Sequence, residues 1–459
     1  MMTPSPTSLI LSTNNLVLHT LFAASLTLLF SFSKIPTFFL HGLHTYIHPD
    51  DINPGSNSGG LRAAIRRPGP IGSEQVKARK KSKERSDFDE CKAQIFRLKL
   101  NEGHLHSRIY FKEFYSVFNY TLIALLSLLL HRFLRVDKDS GVVRNGTIIP
   151  ILLGLVGVCR LLFLMFRVGF DGSVSKRLEK QLSFVLGVLG FLLGLIIVFE
   201  VFPTWVLDFR FCSLEGFGNV CLAAFMGFVV GILFIPALRN GRAFWLGTDQ
   251  IRCNLSIISC GWFSRMLLYA NFILVFFTSL LWFKPLAEFL VYSNMSSELV
   301  TDKKGEVVSF VAHLGLSKPN FENLRIWCLL ITGLLQILAL RPNLQMFLNE
   351  GVFCWYQRLH GSKVPDLDYS RAKVFLHNHY LCLVVLQFFA PAAMVLLLLG
   401  LSPFFNNFLT DSQWACNKSS CSVFVKEVTS FMAWWIIFVW GVLGSATLAL
   451  YRRGIFYVS

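Results

Sequence analysis

The sequence predicts an all-α fold, a polytopic transmembrane helical bundle of about nine spans, with its N-terminus outside or lumenal and its C-terminus cytosolic. Three observations predict it. Of 459 residues, 54% are hydrophobic and only 15% charged, against roughly 45–50% apolar and about 25% charged residues in average soluble proteins. Apolar runs of spanning length recur along the chain. The net charge of +16 is unevenly placed. This composition excludes a single soluble domain, a disordered chain, a collagen-like fibre and a disulfide-stapled mini-protein.

A hydrocarbon core about 30 Å thick requires roughly 20 apolar residues in helical form. Residues 10–31, 114–134, 147–167, 182–202, 217–238, 262–282, 323–341, 376–400 and 429–451 meet this length, each bounded by charge, proline or polar turns. Lipid offers no hydrogen bonds to open backbone, so these runs read as helices. Residues 1–31 hold the first, signal-anchor-like span. Ala23-Ala24-Ser25 hints at signal processing, but no Lys or Arg precedes the run, and Thr20, Ser25 and Ser31 interrupt it. It therefore reads as an uncleaved span.

Residues 32–113 form a basic cytosolic loop. Phe38, Phe39, Leu40, Leu43 and Tyr46, interleaved with His41, His44 and His48, suggest an interfacial amphipathic segment. Residues 49–60 have the composition of a linker. Nine basic residues follow between Arg62 and Arg85. Arg79, Lys80 and Lys81 are the candidate contact with anionic lipid, each worth about 1 kcal/mol near the surface, and phosphorylation of Ser82 or Ser86 would weaken it. A solvated topology signal explains the same charges. A nucleic-acid role conflicts with nine spans.

Residues 114–451 hold the eight remaining spans and 452–459 a cytosolic tail. Lys and Arg number 28 in the segments this path puts inside (32–113, 168–181, 239–261, 341–375 and the tail) and 10 in the outside loops (135–146, 203–216, 283–322 and 401–428), as the positive-inside bias requires. The candidate glycosylation sites Asn294 and Asn417 fall in outside loops, and Cys416 and Cys421 flank the second as a candidate disulfide.

Chemistry is sparse. No P-loop, H-E-x-x-H, G-x-S-x-G or paired-cysteine metal motif is present; Gly55–Gly59 carries Asn57 where a nucleophilic Ser would stand. His104 and His106 lack a nearby Cys or carboxylate cluster, and His377 and His379, two apart, face different sides of a helix. The expectation is no catalytic residue, no metal and no cofactor. Ionisable groups within lipid are costly and so the best functional candidates. Arg160, near the middle of the third span, is expected to face the bundle interior. Two readings stay open: Arg160 lines an anion or substrate path with Glu200 or His131 nearby, or it makes a structural interhelix contact. Gln387 sits one turn before Pro391 in the eighth span, where a broken helix could bind substrate or merely pack. Gly187, Gly190 and Gly194, with Gly227 and Gly231, suggest close helix packing. Trp205, Trp262, Trp282, Trp434 and Trp435 suit lipid-facing surfaces and interfacial belts.

Several stretches together resemble the transmembrane protein 161 family. They are Phe234-Ile235-Pro236-Ala237-Leu238-Arg239, Leu281-Trp282-Phe283-Lys284-Pro285-Leu286, Leu340-Arg341-Pro342-Asn343-Leu344-Gln345, Leu386-Gln387 through Pro391, and Tyr46-Ile47-His48-Pro49. The resemblance implies an integral membrane protein with many helices. It brings no catalytic or ligand site, because the family has no settled biochemical activity. Animal members are linked to membrane excitability and ion homeostasis, which implies an ion-related role. The expectation is a non-enzymatic multi-pass protein of the endomembrane system or plasma membrane, modulating or assembling with ion-transport machinery. Its partners would be the bilayer, anionic lipids and other membrane proteins. The alternative is a transporter or channel with a polar path near Arg160, Glu200 and Gln387.

Overall fold

A computed structural model describes residues 6–48, 62–65, 95–136, 148–170, 177–199, 201, 206–207, 216–249, 260–290, 318–361, 367–411 and 420–456. In chain order its elements begin with helices α1 (Pro6–Ser33) and α2 (Ile35–Leu40), then strands β1 (His44–Ile47), β2 (Arg62–Ile65) and β3 (Ile95–Lys99). Helices α3 (Glu102–Leu105), α4 (Phe111–Val136), α5 (Ile148–Phe170), α6 (Arg177–Val198), α7 (Gly216–Thr248) and α8 (Trp262–Leu280) follow. The chain ends with α9 (Lys284–Leu290), α10 (Lys318–Leu338), α11 (Leu340–Gly361), α12 (Leu367–His379), α13 (Leu381–Asp411) and α14 (Ser420–Arg452). Among the described residues nine helices, α1, α4 to α8, α10, α13 and α14, are long and apolar enough to cross a bilayer. Each overlaps one of the nine windows read from hydropathy.

Helix α13 is the axis of the bundle. It packs against α14, α10, α5 and α4, and every residue from Leu381 to Leu397 is buried. Pro391 lies within it without ending it; the missing N–H leaves the carbonyl of Gln387 outside the helical ladder. Against α13 stands an aromatic stack on α14, in which Phe431, Trp434, Trp435 and Phe438 have ring centroids 5.1–6.3 Å apart. Trp434 and Trp435 are each 1% exposed, which corrects their assignment to the lipid surface. Their indole N–H groups find carbonyl partners inside, Ser279 at 3.0 Å and Met226 at 3.2 Å. Two buried donors are thereby satisfied, and packed rings need no interfacial water.

Between α6 and α7 the small residues let the backbones touch. A Cβ on Gly190 would lie 2.6 Å from Val230 Cγ2, and one on Gly227 only 2.7 Å from the Gly187 carbonyl oxygen. Helices in lipid gain nothing from hiding apolar surface from one another, so close van der Waals approach must hold such a pair. The hydroxyl of Ser183 adds a hydrogen bond to the Gly231 carbonyl at 2.6 Å.

Segments read as loops carry structure too. Residues 32–113 contain α2, α3 and an antiparallel sheet in the order β1-β3-β2, with Tyr46 opposite Arg97 and Arg62 opposite the same residue on the other side. Gly42, at φ +78, makes the left-handed turn from α2 into β1, a conformation open to Gly at little cost. Residues 341–375 are largely helical, as α11 and the start of α12. The 33 residues of α7 extend about 50 Å at 1.5 Å per residue, so its last turns pass beyond a hydrocarbon core. At that end Tyr46, Ile95, Val352, Trp355, Leu359 and Val374 form a second small core joining the sheet to α11 and α12.

Candidate functional site

At the end of the bundle where α7 and α14 finish and α13 begins, polar side chains from α7, α11, α12, α13, α14 and β1 meet. The spacing on each helix explains why. Arg239 and Arg242, three apart on α7, lie on neighbouring positions of one face, as do Gln345 and Asn349, four apart on α11, and Lys373 and His377 on α12. Glu350 is the next residue on α11 and is turned toward α7.

Arg242 Nη1 donates to Glu350 Oε1 at 2.8 Å, with the two side chains 25% and 5% exposed. His377 Nε2 stands 3.8 Å from the same oxygen. Its Nδ1 lies 2.8 Å from the Lys373 carbonyl, which can only accept, so Nδ1 carries the proton. The imidazole stacks on Phe347 with centroids 4.7 Å apart, and the Arg242 guanidinium lies 5.7 Å from the centre of the Tyr451 ring. Burial by itself would push the Glu350 carboxyl up. The Arg242 charge and the nearby His377 outweigh it and hold the carboxyl well below the usual range. Glu350 is thus an ionised, engaged group, unsuited to act as a proton donor. One turn back on α7, Arg239 Nη1 donates to the Gln387 side-chain oxygen at 2.7 Å, tying α7 to α13. The carboxylates of Glu179 and Glu350 both act on Arg239 electrostatically.

Beside this ion pair a second set of hydrogen bonds reaches the sheet. Gln345 grips the backbone of His44 as another strand would. Its Oε1 accepts from the His44 N–H at 2.9 Å and its Nε2 donates to the His44 carbonyl at 3.1 Å. Asn349 Oδ1 accepts from Gln345 at 2.9 Å and from the Tyr46 hydroxyl at 2.8 Å. Asn378 donates to the Tyr46 carbonyl, and Arg341 donates to the His41 carbonyl at 3.0 Å. Burial pushes the Tyr46 phenol up to about 12, against a small opposing effect of Arg97. Burial, with Arg97 and Lys99 adding to it, pushes the His44 imidazole down.

Of the residues singled out from sequence, the described ones, Arg160, His131 and Gln387, each have their own surroundings. Arg160 is exposed on the wall, a correction to its expected place in the bundle interior. Helix α5 turns Gly154, Gly157, Leu161 and Leu164 inward, and α4 offers Arg160 partners on the outer side. Arg160 Nη2 donates to Ser116 Oγ at 2.8 Å, and its guanidinium lies 5.5 Å from the centre of the Tyr120 ring. His131 is buried against α1, with Nδ1 3.1 Å from His19 Nε2. Ser116 and His131 both belong to α4, and their separation in sequence corresponds to about 22 Å along the axis, so Arg160 and His131 do not share a site. Gln387, 2% exposed, is the one that reaches the polar cluster. Glu200, Asn294, Asn417, Cys416, Arg79, Lys80 and Lys81 lie outside the described residues, as does the side chain of Cys421. At the opposite end Arg325 is 7% exposed; it donates to the Leu281 carbonyl at 3.1 Å and packs against Phe321 and Trp282. Among the described residues no three His, Cys, Asp or Glu side chains gather as a metal site.

Sequence reasoning missed Arg242, Glu350, His377, Tyr46, Asn349 and Asn378 as a set. A signal was present. Four of the five stretches that carry the family resemblance, those ending at Arg239, Gln345, Pro391 and Pro49, supply residues that meet here. No solved structure matches the chain. Residues 215–423 match the model of a family described as predicted transmembrane protein 161AB. That match and the nine apolar helices make the chain an integral multi-pass membrane protein and support its assignment to the transmembrane protein 161 family.

Proposed function

We propose that this is a non-enzymatic membrane protein that modulates or assembles with ion-transport machinery, in the endomembrane system or the plasma membrane. The observation that carries this reading is the burial of α13 from Leu381 to Leu397. A helix packed on all sides occupies the axis where a conduction path would run. The polar groups support the same reading, since Arg160, His131 and Gln387 each have a different partner at a different place. In this reading the cluster around Arg242 and Glu350 fixes the end of the bundle as a rigid platform for a partner.

We further propose that this end is cytosolic. The excess of Lys and Arg in the segments that the nine-span path puts inside supports this; in that orientation Asn294 and Asn417 belong to the glycosylated side and Arg79, Lys80 and Lys81 to the side of anionic lipid. Replacing both asparagines by Gln is expected to abolish a glycan-dependent gel shift. A glycan added to a site introduced near residue 60 would contradict the orientation.

The functional test is ion and small-solute flux into liposomes carrying the purified protein, alongside Gln387→Leu and Arg160→Gln. No flux across a broad panel from folded protein is expected. Flux that either substitution alters would overturn the proposal in favour of a transporter or channel.

A further inference from the structure

The α6–α7 contact leaves a long groove on the outside of the bundle. It has a volume of about 340 Å³ and runs between the ends of α5 and α6 and the middle of α7. Its walls are apolar, made chiefly by Phe166, Phe184, Val188, Phe191 and Phe228. Phe184 is 72% exposed and Val188 43%, so in a bilayer this surface meets acyl chains. Lys180, at the α6 end, is the one cation among the described lining residues. Arg177 lies one turn before it on the same face of α6, and Arg167 sits beside Phe166 in the last turn of α5; both arginines are exposed. Positive charge therefore concentrates at one mouth of an apolar groove. From Lys180 to Phe191 the groove follows α6 for about 16 Å. Glu179, between the two cations of α6, also acts electrostatically on Arg239.

We propose that this groove is a binding site for one anionic glycerophospholipid, with an acyl chain along the Phe-lined wall and the phosphate beside Lys180 and Arg177. The volume lies within the range of about 300–1,000 Å³ usual for small-molecule sites. The end that carries the cations is the end of the spans where a headgroup lies, and the depth of the groove is that of a tail. Both halves of the lipid are thus matched by chemistry at the right level. The proposal draws on neither Arg79, Lys80 and Lys81 nor the proposed role in ion transport.

The test is native mass spectrometry of the full-length protein in detergent with added phosphatidylserine or phosphatidylcholine. The wild-type chain is expected to prefer phosphatidylserine. Lys180→Gln should weaken phosphatidylserine binding roughly fivefold, the loss of about 1 kcal/mol for one cation at the headgroup level, and leave phosphatidylcholine unaffected. Val188→Trp fills the groove and should weaken both lipids. The triple variant Arg79→Gln, Lys80→Gln, Lys81→Gln should bind phosphatidylserine as the wild-type chain does. Unchanged phosphatidylserine binding by Lys180→Gln, with the folded state verified by thermal melting, would overturn the site. So would loss in the triple variant alone, which would place the lipid at the basic loop.

Discussion

Arg160 and Arg242 sit on two regions that treat the same side chain in opposite ways. Arg160 lies on the wall, exposed, with one hydroxyl and one aromatic ring as neighbours. Arg242 lies at the capped end, facing a carboxylate that is 5% exposed. On the wall the guanidinium keeps its own surroundings, and its removal strands nothing. At the cap it neutralises Glu350, and its removal would leave a buried charge. The energetic weight of an arginine here is thus decided by what it leaves behind, which neither its depth in a span nor its neighbours in sequence reveal.

Arg242→Met should have the largest effect. Breaking one half of a buried ion pair costs about 3–5 kcal/mol, whereas replacing both halves by apolar groups is often near neutral. In detergent the single variant should lose most of its folded fraction on mild heating, and Arg242→Met with Glu350→Leu should recover more than half of the lost melting temperature. Equal melting of the single and double variants would remove the distinction between cap and wall. Next comes Gln345→Ala, which frees the His44 backbone and one bond of Asn349. Unpaired buried groups cost about 1–3 kcal/mol each, so limited proteolysis should cut near residues 44–47 faster, with the spans intact.

Acid should separate the regions more gently. The Glu350 carboxyl is held below its unfolded range on folding, so its contribution is complete above that range and is lost progressively as pH falls from there toward the lowered folded value. The His44 imidazole is also held low, in its neutral form, so protonation below about 6.5 favours the unfolded chain. Melting temperature should therefore start to fall near pH 6.5 and fall again below about 4.5. His44→Gln should shrink the first decline and leave the second, and a profile flat to pH 4 would show that neither group is coupled to folding. The smallest effect is expected from Arg160→Gln, within about 0.5 kcal/mol; a loss comparable to that of Arg242→Met would put the wall and the cap in one class.

The spans were legible because each needs only length and hydropathy, both local properties of the sequence. The face of a span was not. On α5 the outward Leu152, Leu155, Val156 and Phe163 are as apolar as the inward Leu161 and Leu164, since lipid and protein interior make the same demand. That is why Arg160 could be located in its helix but not oriented. The cap escaped for a different reason. Helix α11 mixes Arg341, Asn343, Gln345, Asn349 and Glu350 with apolar residues and so has the composition of a loop. Strand β1 has four residues, and its partners lie on β3 and, more than 290 positions onward, on α11 and α12. Such pairings leave no periodicity to read. The glycines of α6 and α7 were readable as packing because their spacing is itself the signal.

In the proposed reading the axis of the bundle is filled and dry. Ala393, wholly buried in the middle of α13, offers the most direct test as Ala393→Cys, treated with a charged, membrane-impermeant thiol reagent in proteoliposomes and mapped by mass spectrometry. The cysteine should stay unmodified in the folded protein and react once the chain is denatured. Rapid modification in the folded protein would mean that water reaches the axis, and would contradict the account of α13 as a packed core.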